Sequence, residues 1–130
     1  MAGVHAMTDV TGFGLLGHLL ELARGAGLEA QLDMAAIPLL PGVQQLAHDG
    51  YITGASGRNW DAYGKDVQLG AGVSAAQHAL LTDPQTSGGL LVSCDAASVE
   101  EVLALFKREG FGEAAVIGRM VAGAARVVVN

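Results

Sequence analysis

The segment Gly12-Phe13-Gly14-Leu15-Leu16-Gly17 constrains this chain more than any other. Its glycines open a run in which Leu15, Leu16, Leu19, Leu20, Leu22 and Ala23 recur at helical spacing. That period predicts a helix over 12–24 with a broad apolar face. The opposite stripe carries Gly14, Gly17, His18 and Glu21. Asp9 or Thr11 is available as N-cap, and Gly25 to Gly27 supply the stop. A helix start lined by glycine lets a phosphate approach the exposed N–H groups and the positive end of the dipole.

As spelled, the segment fits the G-x-G-x-x-G pattern of dinucleotide sites, and Asp33 stands about where the ribose-binding acid would be. That reading needs an apolar parallel strand ahead of the helix. Val4 to Val10 is instead interrupted by His5, Thr8 and Asp9. Asp9 also sets a carboxylate beside the phosphate position, where it repels unless a metal intervenes. The objection therefore describes a different site: a divalent cation held by Asp9 and bridging to nucleotide phosphates. The competing reading makes Asp9 a helix cap only, contributing about 1 kcal/mol.

Composition limits the alternatives. With 130 residues, 51% hydrophobic and 15% charged, the chain is long and apolar enough for one core, expected as a single domain over 1–130. No apolar run reaches the roughly 18 to 20 residues of a membrane span. The first residues lack the basic-then-apolar order of a signal peptide. A soluble, cytoplasmic protein is expected. The net charge of −6 argues against nucleic acid and anionic membranes as partners. It also means that a phosphate site here must use backbone N–H groups, a metal ion, or cations from another domain. The single cysteine, Cys94, excludes an internal disulfide and is expected as a core thiol.

Further along, Leu28 to Met34 alternates as a half-buried strand, and Pro41 suits the first turn of a short helix through about His48. Residues 51–73 hold five glycines and no sustained period, which predicts irregular structure pinned by Trp60 and Tyr63. A helical turn is expected in 73–81. Leu90 to Cys94 reads as a strand. Ser98 with Glu101 reads as a capping box opening a helix to about Glu109. Ala115 to Val121 and Ala125 to Val129 read as strands joined at Gly123. This order predicts an α+β fold, with a mixed or antiparallel sheet and packed helices. His5, His48 and His78 show no metal-ligand spacing. His18 either faces a ligand from the glycine stripe or is a helix-surface or packing histidine, the commoner role.

A second polar and glycine-rich cluster runs Thr82-Asp83-Pro84-Gln85-Thr86-Ser87-Gly88-Gly89, a dense turn signal before a buried strand. By itself it is either a ligand loop or a connection whose side chains satisfy their own backbone.

Taken together, the clusters carry a resemblance. Thr8-Asp9-Val10-Thr11-Gly12-Phe13-Gly14-Leu15-Leu16-Gly17-His18 resembles the opening of the C-terminal domain of selenophosphate synthetases, and Asp83 to Leu91 resembles its second signature. Gly54-Ala55-Ser56-Gly57-Arg58-Asn59 is a looser match to the loop between them. Aminoimidazole ribonucleotide synthetase and thiamine-phosphate kinase share this architecture. The resemblance implies an aminoimidazole ribonucleotide synthetase-like C-terminal domain. It implies an enzyme that joins selenide to the γ-phosphoryl of ATP and releases AMP and phosphate, with Mg²⁺ and a monovalent cation. It implies Asp9 as the metal ligand of this half, and Thr8, Thr11, Gly12 and Gly14 near the ATP phosphates. Apart from the resemblance, Arg58 and Asn59 are either residues that reach substrate or the partner domain, or solvated loop residues. The catalytic Cys or selenocysteine, the essential Lys and the dimer-forming sheet would lie in an N-terminal domain, so the 130 residues alone are expected to be inactive.

Overall fold

A computed structural model of the chain describes residues 2–86 and 88–130. Met1 and Ser87, the latter expected as one hydroxyl of the second cluster, lie outside the described residues. The chain begins with strand β1 (Val4–Asp9), helix α1 (Gly14–Ala26) and strand β2 (Glu29–Leu32). Helices α2 (Val43–His48) and α3 (Gly54–Tyr63) follow, then strand β3 (Val67–Leu69) and helix α4 (Ala75–Thr82). Strand β4 (Leu90–Cys94), helix α5 (Val99–Arg108), and strands β5 (Gly118–Val121) and β6 (Val127–Val129) complete it.

The strands form two sheets. β1 and β4 make an antiparallel ribbon, and a four-stranded mixed sheet runs in the order β3-β6-β2-β5. β6 pairs parallel with both β2 and β3, and β5 pairs antiparallel with β2. The expected α+β class with a mixed sheet is what forms. The last two strands are joined through Gly123 as expected, but they do not pair with each other: β5 and β6 lie on opposite sides of β2. The physical reason is apolarity. Val127 and Val129 are fully buried and take the central position, whereas Gly118 and Arg119 are exposed at the edge.

α1 lies on this sheet. Its Leu16, Leu20 and Ala23 are buried with Ala30 and Leu32 of β2 and with Val127 and Val129 of β6. Each fully buried leucine contributes on the order of 1.5–3 kcal/mol. Across the sheet, the Arg126 guanidinium donates to the Glu29 carboxylate at 2.9 Å, and the Gln31 amide donates to its other oxygen at 3.1 Å.

Two local expectations are corrected. Residues 51–73 are not irregular, because they contain α3 and β3. The Thr53 hydroxyl caps α3 by accepting from the Ser56 N–H at 3.3 Å. Gly54 and Gly57 fall on the exposed side, while Ser56 and Tyr63 are buried. Packing against α4 outweighs the roughly 1 kcal/mol per residue that glycine costs a helix. The capping box is also elsewhere. Ser98 makes no cap bond to α5; a 3-10 turn over Ala96–Ser98 leads in, and its hydroxyl donates to the Ala2 carbonyl at 3.4 Å. The box is instead Ser74 with Gln77, which opens α4 through reciprocal bonds of 3.1 and 2.9 Å. α5 complements its own dipole, with Glu100 and Glu101 in the first turn and Lys107 and Arg108 in the last. Cys94 is half-buried on β4 opposite Val4, less enclosed than a core thiol.

Candidate functional site

β1 carries the first candidate residues to one end of the ribbon. Its side chains alternate, so Asp9 is exposed while Thr8 shares the other face with buried Leu91. The Thr8 hydroxyl donates to the Asp9 carbonyl at 3.2 Å. Beyond β1, Val10 is buried, and its N–H donates to the Gly89 carbonyl at 2.9 Å. A Cβ on Gly88 would fall 2.0 Å from the Val10 carbonyl oxygen, so only glycine lets the two chains approach this closely. The Thr11 carbonyl accepts from the N–H groups of both Gly14 and Gln85, each at 3.0 Å. The two sequence clusters, far apart along the chain, thus form one continuous surface.

α3 supplies a third side. The Asn59 amide nitrogen donates to the Gly12 carbonyl and to the Thr82 carbonyl, both at 2.9 Å. The Tyr63 hydroxyl donates to the Phe13 carbonyl, and its ring lies against Gly17. Burial pushes the Tyr63 phenol up to about 12, which keeps it a donor at neutral pH. The buried hydroxyls of Ser56 and Thr82 lie side by side, Ser56 donating to the Ala79 carbonyl and Thr82 to the His78 carbonyl, each at 3.1 Å.

The glycines at the start of α1 therefore differ in role. Gly14 is buried with φ +73°, and a Cβ there would meet the Thr82 backbone at 2.8 Å. Gly17 gives way to Tyr63 and Phe13. Gly12 is exposed, with nothing within 4 Å of a built Cβ. Among the described residues no side chain caps α1; its N-cap is Phe13. The expected capping by Asp9 or Thr11 is corrected, and the reading of Asp9 as a cap only is lost with it. Thr11 meets the Gly14 N–H with its backbone carbonyl, while its hydroxyl turns to His18.

Thr11 has another partner. Its hydroxyl lies 2.9 Å from His18 Nε2. The Glu21 carboxylate stands 3.5 Å from His18 Nδ1. His18 is buried, and it orients Thr11 from behind the surface.

Asp83 accepts from the Gln85 amide at 3.3 Å and from Thr53 at 3.5 Å. Arg58 is exposed on α3 beside Gly54. Among the described residues, no group of three or more His, Cys, Asp or Glu converges on a metal position. Asp9 would act as a single ligand, with the rest supplied by nucleotide or another segment. An exposed carboxylate beside an open Gly12 and an uncapped helix start fits that role.

The dinucleotide reading is contradicted by the topology. β1 pairs antiparallel with β4, and β2 belongs to the other sheet, so α1 does not link parallel neighbours. Asp33 caps a short 3-10 turn by accepting from the Ala35 N–H at 3.1 Å.

Sequence reasoning missed the structural parts of Asn59 and Tyr63. The available signal was the spacing Ser56, Trp60, Tyr63 behind Thr53, a helical period whose first inward residue is polar.

Comparison with known proteins agrees with this architecture. Residues 1–130 match the family described as AIR synthase related protein, C-terminal domain. The chain belongs to this family. The selenide, water dikinase of Burkholderia pseudomallei (strain K96243) is 65% identical over 130 residues, covering 100% of this chain and 37% of the relative. That of Pseudomonas straminea is 66% identical over 128 residues, covering 98% of this chain and 36% of the relative. The chain thus spans a little over a third of the length of these relatives. Among solved structures, Escherichia coli HypE, a hydrogenase maturation protein, superposes with a TM-score of 0.70 at 21% identity, covering 99% of this chain and 32% of that one. Thiamine-monophosphate kinase from Stenotrophomonas maltophilia K279a gives 0.67 at 19% identity, covering 99% and 32%. Both show that the AIR synthase related fold is shared. No helix is long and apolar enough to cross a membrane among the described residues.

Proposed function

We propose that this chain is the C-terminal domain, over 1–130, of a selenide, water dikinase, and that its Asp9–Gly14 turn completes a Mg-ATP site in the longer protein. The observation that carries the reading is the convergence of three separated segments. The Asp9–Gly14 turn meets Gln85 and Gly89 through backbone hydrogen bonds, and the Asn59 side-chain amide ties that turn to Thr82, at one exposed end of the β1–β4 ribbon. The relatives of matching sequence carry the same name along their whole longer chains.

In this reading Asp9 supplies one carboxylate oxygen to the metal, and the Gly12 turn leaves room for phosphate oxygens at the start of α1. Thr8 and Thr11 lie beside that path, and Gly14 shapes it by packing. A bound Mg²⁺ would neutralise charge developing on the transferred phosphoryl group. The nucleophile, the essential Lys and the dimer contact belong to an N-terminal domain. A homodimeric, cytoplasmic enzyme with a monovalent-cation requirement goes with the proposal. Selenide-dependent formation of AMP by the full-length protein tests it. Asp9→Asn should lower that rate by at least about 100-fold. A rate close to wild type would overturn the metal role, and robust turnover by the 130 residues alone would overturn the division of labour.

A further inference from the structure

Asn59 is joined to two segments at once. One amide nitrogen donates both of its hydrogens, to the Gly12 carbonyl at 2.9 Å and to the Thr82 carbonyl at 2.9 Å. The first carbonyl belongs to the turn that follows Asp9. The second ends α4 and starts the Asp83 loop. No other side chain among the described residues donates to both. We infer that Asn59 is a positioning residue that fixes the distance between these two loops, and so the placement of the Gly12 turn against the Asp83 loop at the proposed nucleotide site. The second half of this statement rests on the proposed nucleotide site; the first does not.

The chemistry selects an amide. A carboxylate of the same shape has no hydrogen to give, and it would set a negative oxygen against two carbonyl oxygens. A serine can donate to only one of them. The loops also contact directly, since the Thr11 carbonyl accepts from Gln85 and Val10 donates to Gly89, and the Gly14 N–H shares the same Thr11 carbonyl from within the turn. These three N–H groups therefore report on the junction. The N–H groups of Asp33, Gly70 and Asn130, bonded to Ile117, Val129 and Leu32, report on the distant sheet.

The test is amide hydrogen exchange on the 130-residue chain, wild type against Asn59→Asp. Exchange at Val10, Gly14 and Gln85 should rise together by about tenfold or more, while Asp33, Gly70 and Asn130 change less than about threefold. Unchanged exchange at the junction, a rise on only one loop, or a uniform rise everywhere overturns the clamp. If Asn59→Asp does not fold, Asn59→Ser is read by the same criteria. The second arm uses the full-length dikinase. Asn59→Asp should raise the KM for Mg-ATP about tenfold with kcat within about threefold, and Asn59→Gln, which keeps the donors, should recover part of the loss. A loosened junction with an unchanged KM leaves the clamp standing and overturns the placement of nucleotide between the loops.

Discussion

The α-carbon of Gly14 packs against the backbone of Thr82, so that a methyl built there would lie 2.8 Å from the Thr82 carbonyl carbon. Gly14 also has φ +73°. Two independent constraints thus require glycine at this position. Gly14→Ala should destabilise the chain by about 3 kcal/mol, combining left-handed strain of about 1–2 with overpacking of about 1–3. Gly12→Ala meets nothing and should stay within about 0.5 kcal/mol of wild type. Urea denaturation of both variants checks this. Equal losses would mean that Gly12 also serves packing.

Asp9→Asn separates ligand chemistry from folding. Asp9 is exposed and α1 has no side-chain cap, so the variant should keep stability within about 0.5 kcal/mol. A drop of about 1 kcal/mol in denaturant unfolding would return Asp9 to the capping role that the sequence also allowed.

Much of this arrangement was legible before any coordinates, and the failures have physical causes. α1 was readable because six apolar residues repeat at one period, and burial of Leu16 and Leu20 follows from it. Its N-terminus was misplaced because capping propensity counts side chains, whereas the chain turns at Gly12 under tertiary restraint from Asn59 and Tyr63. α3 was hidden because Ser56 occupies an inward position. Its hydroxyl is satisfied by the Ala79 carbonyl at 3.1 Å, a partner that no local pattern reveals. The order of β5 and β6 was hidden because two strands joined at Gly123 carry no local sign of their pairing, while the sheet rewards the strand that tolerates burial on both sides. Both glycine clusters were legible as special; that they touch was a long-range fact.

Tyr63→Phe removes the bond to the Phe13 carbonyl and keeps the ring against Gly17. The expected loss is about 1 kcal/mol at neutral pH. The pH dependence adds a second check. The folded phenol titrates at about 12 against 10.0 when unfolded, so the folded state holds its proton longer. That contribution is present below pH 10 and is lost as pH rises toward 12. Wild type should therefore lose stability over this window more steeply than Tyr63→Phe, measured as thermal midpoint against pH. Parallel curves would mean that the phenol is not buried as described.

His78 gives the opposite slope at lower pH. It lies edge-on to Trp60, with ring centroids 4.2 Å apart, and its Nε2 is buried without a hydrogen-bond partner. Burial holds its pKa below the ordinary 6.5, because a charge there would be poorly solvated. The unfolded chain then binds the proton more readily than the folded one. Stability should fall as pH drops through 6.5, and level off once the folded imidazole is also protonated. The Glu29 carboxyl does not blur this window. The Gln31 hydrogen bond, and then that of Arg126, holds it below 4.5, so its contribution is lost only at more acid pH. His78→Phe keeps an aromatic ring beside Trp60 and removes the unpaired nitrogen. It should unfold at the same or higher temperature than wild type at pH 7, with a flatter dependence between pH 7 and 5. A variant as pH-sensitive as wild type over that range would assign the acid loss to other groups and remove His78 from the account.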